Sequence, residues 1–193
     1  MSDCRCSSAR DSLSASAEGL RQSAVSIRRD LHKHAEVAWT EFRTGSLVAR
    51  RLMDMGGWDV RFGPDLFEDS LMMGMPSAED LQRHMARAVT QGGDAEIIEK
   101  MRGGYTGVVA TLKTGDGDGP VVAFRFDMDA NDLPEAQDEK HRPFREGFAS
   151  INEGAMHGCG HDCHTAMGLT AARALLDNRC VLPPGTVKLI FQT

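Results

Sequence analysis

The segment "MHGCGHDCH", residues 156–164, places His157, Cys159, His161, Asp162, Cys163 and His164 within eight consecutive positions. Thiolate and imidazole are the donors that zinc and related divalent ions favour. Cys159 and His161 stand two residues apart in a glycine-flanked stretch, where an extended backbone turns both side chains to one side. They are the predicted metal ligands. Asp162 is expected to fix a ligand histidine through a hydrogen bond, and His164 to open the next helix near its positive end. Packing alone does not ask for six ligand-type residues among glycines. A closed structural zinc site needs four protein ligands, and the other thiols, Cys4, Cys6 and Cys180, fall in a tail and a loop. A redox pair is a poor fit, because Cys159 and Cys163 lack the C-x-x-C spacing.

A second group lies in "RFDMDANDLPEAQD". Alternation along a strand puts Asp127 and Asp129 on one face, aimed past the strand's carboxyl end, where they would support the metal ligands. An exposed acidic loop is the plain alternative. A calcium loop is a poorer one, since Asp132 occupies its turn position, where glycine is needed, and a strand enters it. A third group, His32, His34 and Glu36 in "RRDLHKHAE", taken alone reads as a solvated helix end.

Helical periodicity runs from Glu18 to Lys33 and from Glu41 to Met55, where Gly56 and Gly57 stop it. "WDVRFG" alternates as a short strand. Residues 64–104 read as an irregular insertion followed by a helix that opens at Ser77. "GVVATLKT" and "VVAFRFD" read as adjacent strands joined by "GDGDGP". A loop from Asn131 to Gly160 precedes a helix from His164 or Thr165 to about Asp177, and "GTVKLIF" is one more strand. Residues 1–16, polar and rich in serine and alanine, read as a disordered tail. The expected class is α/β, a mostly parallel mixed sheet between helices, with function gathered at the carboxyl ends of strands.

The chain has 193 residues, 41% hydrophobic and 26% charged, with a formal net charge of −6. That balance offers no basic surface for nucleic acid. No apolar run approaches the roughly 20 residues that span a bilayer, and the N-terminus lacks the apolar stretch of a signal peptide, so the expected location is cytoplasmic. Five cysteines, an odd number, suit reduced thiols or metal ligation better than a disulfide framework.

Taken together, "IRRDLHKHAE", "FRFDMDAND", "MHGCGHDCHT" and "KLIFQT" resemble, in order and spacing, the amidohydrolase branch of the dinuclear-metal aminoacylase and carboxypeptidase superfamily. That branch includes hippurate and auxin-conjugate hydrolases. The patterns matched are R-R-x-x-H-x-H-P-E, R-x-D-M-D-A-L, M-H-A-C-G-H-D-x-H-T and F-Q-P-A-E-E. "MMGMPSAEDLQRHMARA", "GGYTGVVATLKTG", "HRPFREGFASINEGAMHGCGHD" and Ala35 in place of proline are similar to a subfamily acting on p-aminobenzoyl-glutamate. The resemblance implies metal-dependent hydrolysis of an amide in an N-acyl amino acid, with two divalent ions, zinc or manganese. It makes Cys159 and His161 ligands, Asp127 and Asp129 supporting acids, and leaves Asp162 and His164 in the motif without established ligation. It makes residues 17–193 the N-terminal part of a catalytic domain.

The same resemblance puts the general-base glutamate, further ligands and a small dimerisation domain beyond "FQT", which implies that these residues alone are inactive. Its complete members are homodimers or pair with a second subunit. The other reading of this chain is a non-catalytic metal-binding or interaction half-domain that pairs with another subunit, and a third is a small structural zinc protein.

Overall fold

A computed structural model describes residues 2–116 and 118–193, with side chains from Ala9 onward. In chain order its elements are α1 (Ser2–Gly19), α2 (Arg21–Lys33), α3 (Phe42–Met55), β1 (Asp59–Phe62), α4 (Ala78–Thr90), α5 (Ala95–Lys100), β2 (Val108–Thr114), β3 (Val121–Asp127), α6 (Arg142–Arg145), α7 (His161–Asp177) and β4 (Gly185–Gln192). The expected α/β class with a mixed sheet is what forms.

The four strands lie in the order β1-β2-β4-β3. β1 with β2 and β2 with β4 are antiparallel, and β4 with β3 is parallel. Two expectations are corrected here. Among the described strands only one pairing is parallel, so the sheet is mixed without being mostly parallel. β2 and β3 are not neighbours, because β4 enters between them, pairing Val108 with Phe191 on one side and Phe126 with the same Phe191 on the other. "GDGDGP" therefore connects across an intervening strand instead of closing a hairpin.

Register explains which face is covered. Val108, Ala110 and Leu112 of β2 align with Phe191, Leu189 and Val187 of β4, and these with Phe126, Phe124 and Val122 of β3. The period of two places them all on one face. α3 and α7 pack there, and Phe42, Val48, Leu52, Leu169 and Ala172 join Val108, Ala110, Leu112, Leu189 and Phe191 in one buried cluster. α7 comes close to the sheet at Gly168, where an added Cβ would lie 2.6 Å from Phe191 Cε1 and 2.9 Å from Phe126 Cδ2. β3 is the thinly covered strand, with Val121, Val122 and Phe124 exposed.

The helix ends follow local chemistry. Ser77 Oγ accepts the Asp80 N–H at 3.1 Å and caps α4 as expected. Asp94 Oδ1 accepts from Glu96 and Ile97 N–H at 3.1 Å and starts α5, which lay unread within the insertion. Glu36, fully buried, caps α3 from a distance, accepting the N–H groups of Arg43 at 3.1 Å and Thr44 at 2.8 Å. The expected disordered tail is corrected as well: residues 2–19 form α1. Alanine, serine, arginine and leucine with no proline tolerate a helix, Ala9 is buried, and Asn178 Nδ2 donates to Ser16 Oγ at 2.8 Å. The side chains of Cys4 and Cys6 lie outside the described residues. No helix among the described residues is long and apolar enough to cross a membrane.

Candidate metal centre

Three elements meet at the carboxyl ends of β3 and β4. Asp127 ends β3, and Gln192 beside it on β4 donates through Nε2 to Asp127 Oδ1 at 3.0 Å. Met128 between the two aspartates is fully buried, which anchors the turn out of the sheet. Ala130 N–H donates to the Glu36 carbonyl at 2.7 Å and pairs Ala130 with Val37, tying the segment before α3 to this corner. α7 supplies the opposite wall.

α7 starts at His161, three residues earlier than the periodicity suggests. Gly160, at φ 97°, takes the left-handed conformation that opens it, a position that glycine fills without strain. The early start puts His161 and His164 three apart on one helix face, and their rings stack with centroids 5.3 Å apart.

His161 is held from both sides. Its Nδ1 donates to Asp129 Oδ1 at 2.8 Å, a carboxylate being only an acceptor, and its Nε2 faces Asp127 Oδ2 at 3.9 Å. His164 Nδ1 lies 3.4 Å from the same Asp127 Oδ2. Asp127, His161 and His164 thus offer one donor atom each, all within 4.8 Å of one another. The His164 Nδ1 is buried without a hydrogen-bond partner. Two imidazoles and a carboxylate of this spacing suit a divalent cation.

The predicted site residues distribute as follows. Asp127, His161 and His164 come together, and Asp129 sets the tautomer and orientation of His161, the task expected of Asp162. Asp162 instead points away from His161, to His32 Nδ1 at 2.8 Å and Arg28 Nε at 2.7 Å. Cys159 is an exposed free thiol outside the Asp127, His161 and His164 group.

The reading of "RRDLHKHAE" as a solvated helix end is corrected. His32 is 3% exposed, and its Nε2 donates to Glu135 Oε1 at 2.8 Å. Burial works against its charged form, but hydrogen bonds to Asp162 and Glu135 outweigh it and raise its pKa above the ordinary imidazole value. The two acids respond in kind. Burial alone would raise them, yet hydrogen bonds to Asp162 from His32, and to Glu135 from Ser150, His141 and His32, hold both pKa values below the usual carboxylate range. Glu135 was not singled out in the sequence, where it is one acid among several in a loop.

His157 is also buried, and neither ring nitrogen has a hydrogen-bond partner. Burial pulls its pKa down to about 4, which leaves a neutral imidazole in the segment that precedes the ligands. Glu41 is a fully buried acid whose pKa burial pushes up to about 8, with Thr106 Oγ1 donating to its Oε2 at 3.0 Å. A cavity of about 630 Å³ between α2, α7 and Phe148 is walled by Val25, Arg28, Cys163 and Met167 and excludes the metal group.

Residues 123–193 match the family described as peptidase family M20/M25/M40. Over this stretch the chain is similar to the M20 peptidase family. It is 52% identical over 165 residues to one of the subunits of the p-aminobenzoyl-glutamate hydrolase of Escherichia coli strain K12, spanning 86% of this chain and 37% of that relative's length. The fold matches a crystal structure of an aminobenzoyl-glutamate utilization protein from Klebsiella pneumoniae at a TM-score of 0.72 and 36% identity, covering 93% of this chain and 38% of that one. It also matches a dinuclear metal binding M20 peptidase of Bacillus subtilis at a TM-score of 0.57 and 28% identity, covering 90% and 35%. The chain therefore spans well under half the length of these relatives. The M20 match covers Asp127, Asp129, Cys159, His161 and His164 together.

Proposed function

We propose that this chain supplies the metal-binding half of an amidohydrolase that cleaves the amide of an N-acyl amino acid, with p-aminobenzoyl-glutamate as its substrate. The observation that carries the reading is His161, gripped by Asp129 and presented to Asp127 beside His164 at the end of a sheet. The 52% identity to a p-aminobenzoyl-glutamate hydrolase subunit supports the substrate.

Cys159 and His161 are the proposed ligands, carried two residues apart on the glycine-flanked segment, with Asp127 and His164 beside His161. Asp127 and Asp129 act as supporting acids. A divalent ion held there, zinc or manganese, would supply an acidified water and would polarise the scissile carbonyl. Thiolate at Cys159 favours zinc, and the oxygen and nitrogen donors also accept manganese. Asp129 keeps the Nδ1 hydrogen of His161 pointed away from the site, so that Nε2 offers its lone pair.

None of the residues assigned here is a general base for the attacking water. Positioned bases are typically worth about 10²–10⁴-fold, so the 193-residue polypeptide is expected to bind metal without measurable turnover. The exposed apolar residues of β3 favour coverage by further polypeptide, a second subunit or a second copy. Free thiols at Cys159, Cys163 and Cys180 suit a reducing compartment such as the cytoplasm.

The test is release of p-aminobenzoate from p-aminobenzoyl-glutamate by the endogenous gene product purified with its metal. Turnover that a chelator abolishes, and that Cys159→Ala and His161→Ala each reduce by at least about 10²-fold, supports the reading. A metal-loaded gene product that leaves the substrate intact contradicts it.

A further inference from the structure

His32 joins three segments that are distant in sequence. Its Nδ1 donates to Asp162 Oδ2 and its Nε2 to Glu135 Oε1, each at 2.8 Å, across 130 and 103 residues. Both acceptors are carboxylates, so the ring bridges them with both nitrogens protonated. Asp162 is the second residue of α7, directly after His161, and its Oδ1 accepts the Cys163 N–H at 2.8 Å. Glu135 also accepts from His141 Nε2 at 2.7 Å and from the Ser150 N–H, which binds both arms of the 131–153 loop.

Between these two anchors runs the segment that carries Cys159. It contains Gly154 at φ 75°, Gly158 and Gly160 at φ 97°. Its backbone is held to Asn131 by hydrogen bonds of 2.8 and 3.1 Å with Met156 and by the Gly158 N–H donating to Asn131 Oδ1 at 3.0 Å. Glycine-rich backbone loses more freedom on ordering than any other. Fixing both ends of such a segment limits the positions that Cys159 can take relative to His161.

We propose that His32 is a positioning residue for the metal centre, clamping the first turn of α7 and the loop that delivers Cys159 so that Cys159 and His161 are set for one cation. The inference rests on the metal-centre reading above. His32 touches no metal ligand itself. It acts through Asp162 and Glu135, as groups behind a ligand shell do, and such partners are typically worth about 10–100-fold in metal affinity.

The test is zinc affinity of the 193-residue chain, measured by competition with a chromophoric chelator, beside thermal unfolding of the metal-free protein. His32→Gln keeps the size of the side chain but cannot donate to both acids, and is expected to weaken zinc binding by about 10–100-fold. Asp162→Asn keeps an oxygen for the Cys163 N–H and removes the charge, and should weaken binding similarly. The double variant should bind less weakly than the two single losses added together, because both substitutions break the shared His32–Asp162 contact. Leu52→Ala, in the core of α3, serves as the control: it should lower the unfolding temperature while changing zinc affinity by less than about threefold.

Wild-type zinc affinity in both His32→Gln and Asp162→Asn overturns the proposal, as does a loss of affinity in Leu52→Ala equal to theirs. A wild-type chain that binds no zinc, or binds it equally well after His161→Ala, overturns the metal-centre reading and the clamp with it. Should His32→Gln fail to fold, the comparison of Asp162→Asn with Leu52→Ala decides.

Discussion

Burial favours the neutral form of both Glu41 and His157, so it moves their pKa values in opposite directions, to about 8 and about 4. For Glu41 the folded pKa lies above the unfolded value of 4.5. Its contribution to stability is therefore complete below the unfolded pKa and is lost as pH rises towards the folded one. Glu41→Gln removes that titration while keeping the shape. Between about pH 5 and about pH 8 the wild type should lose, relative to this variant, on the order of 3 kcal/mol in urea unfolding. Parallel stability profiles for the two proteins would show that Glu41 titrates normally. His157 acts with the opposite sign below neutral pH, and taking the difference between the two proteins cancels it. At this scale the sequence was informative about His161 and the two aspartates, because a strand end and a dense ligand motif declare themselves locally. It led to His32 being read as part of a solvated helix end and to Glu135 being passed over, because the bond between them spans about a hundred residues and no local pattern records it.

At the scale of elements, α7 does two jobs. Its first turn presents His161 and His164, and its middle lies against β3 and β4 at Gly168. Gly168→Ala would set a methyl group within 3 Å of Phe191 and Phe126. Overpacking of this kind costs about 1–3 kcal/mol, so the variant should unfold at lower denaturant concentration. Because the displacement reaches the strand that carries Asp127, its metal affinity should fall as well. Unchanged stability would mean that the helix and sheet sit farther apart. Helices α2, α3 and α4 were legible from periodicity and from the Ser77 cap, and every strand from its β-branched and aromatic run. The order of strands was not, since β4 arrives after a helix and inserts between two strands that adjoin in sequence. The start of α7 was also missed: the motif's glycines suggested a loop as far as His164, whereas Gly160 in its left-handed conformation opens the helix at His161.

For the whole molecule, chemistry concentrates at one end of the sheet. The carboxyl ends of β3 and β4, the start of α7 and the segment after α2 converge there, while the cavity between α2, α7 and Phe148 excludes those residues. The stretch similar to the M20 family includes that end, with Asp127, Asp129, Cys159, His161 and His164 all inside it. These residues are expected to hold a divalent ion through Cys159 and His161. Cobalt(II) titration of the chain tests it most directly, because a thiolate ligand adds a charge-transfer band in the near ultraviolet that imidazole and carboxylate do not. Saturable binding with that band, loss of the band in Cys159→Ala, and loss of binding in His161→Ala are expected. Binding without a thiolate band that survives Cys159→Ala and disappears in His164→Ala would assign the ion to Asp127, His161 and His164 alone, and would contradict the ligand pair proposed here.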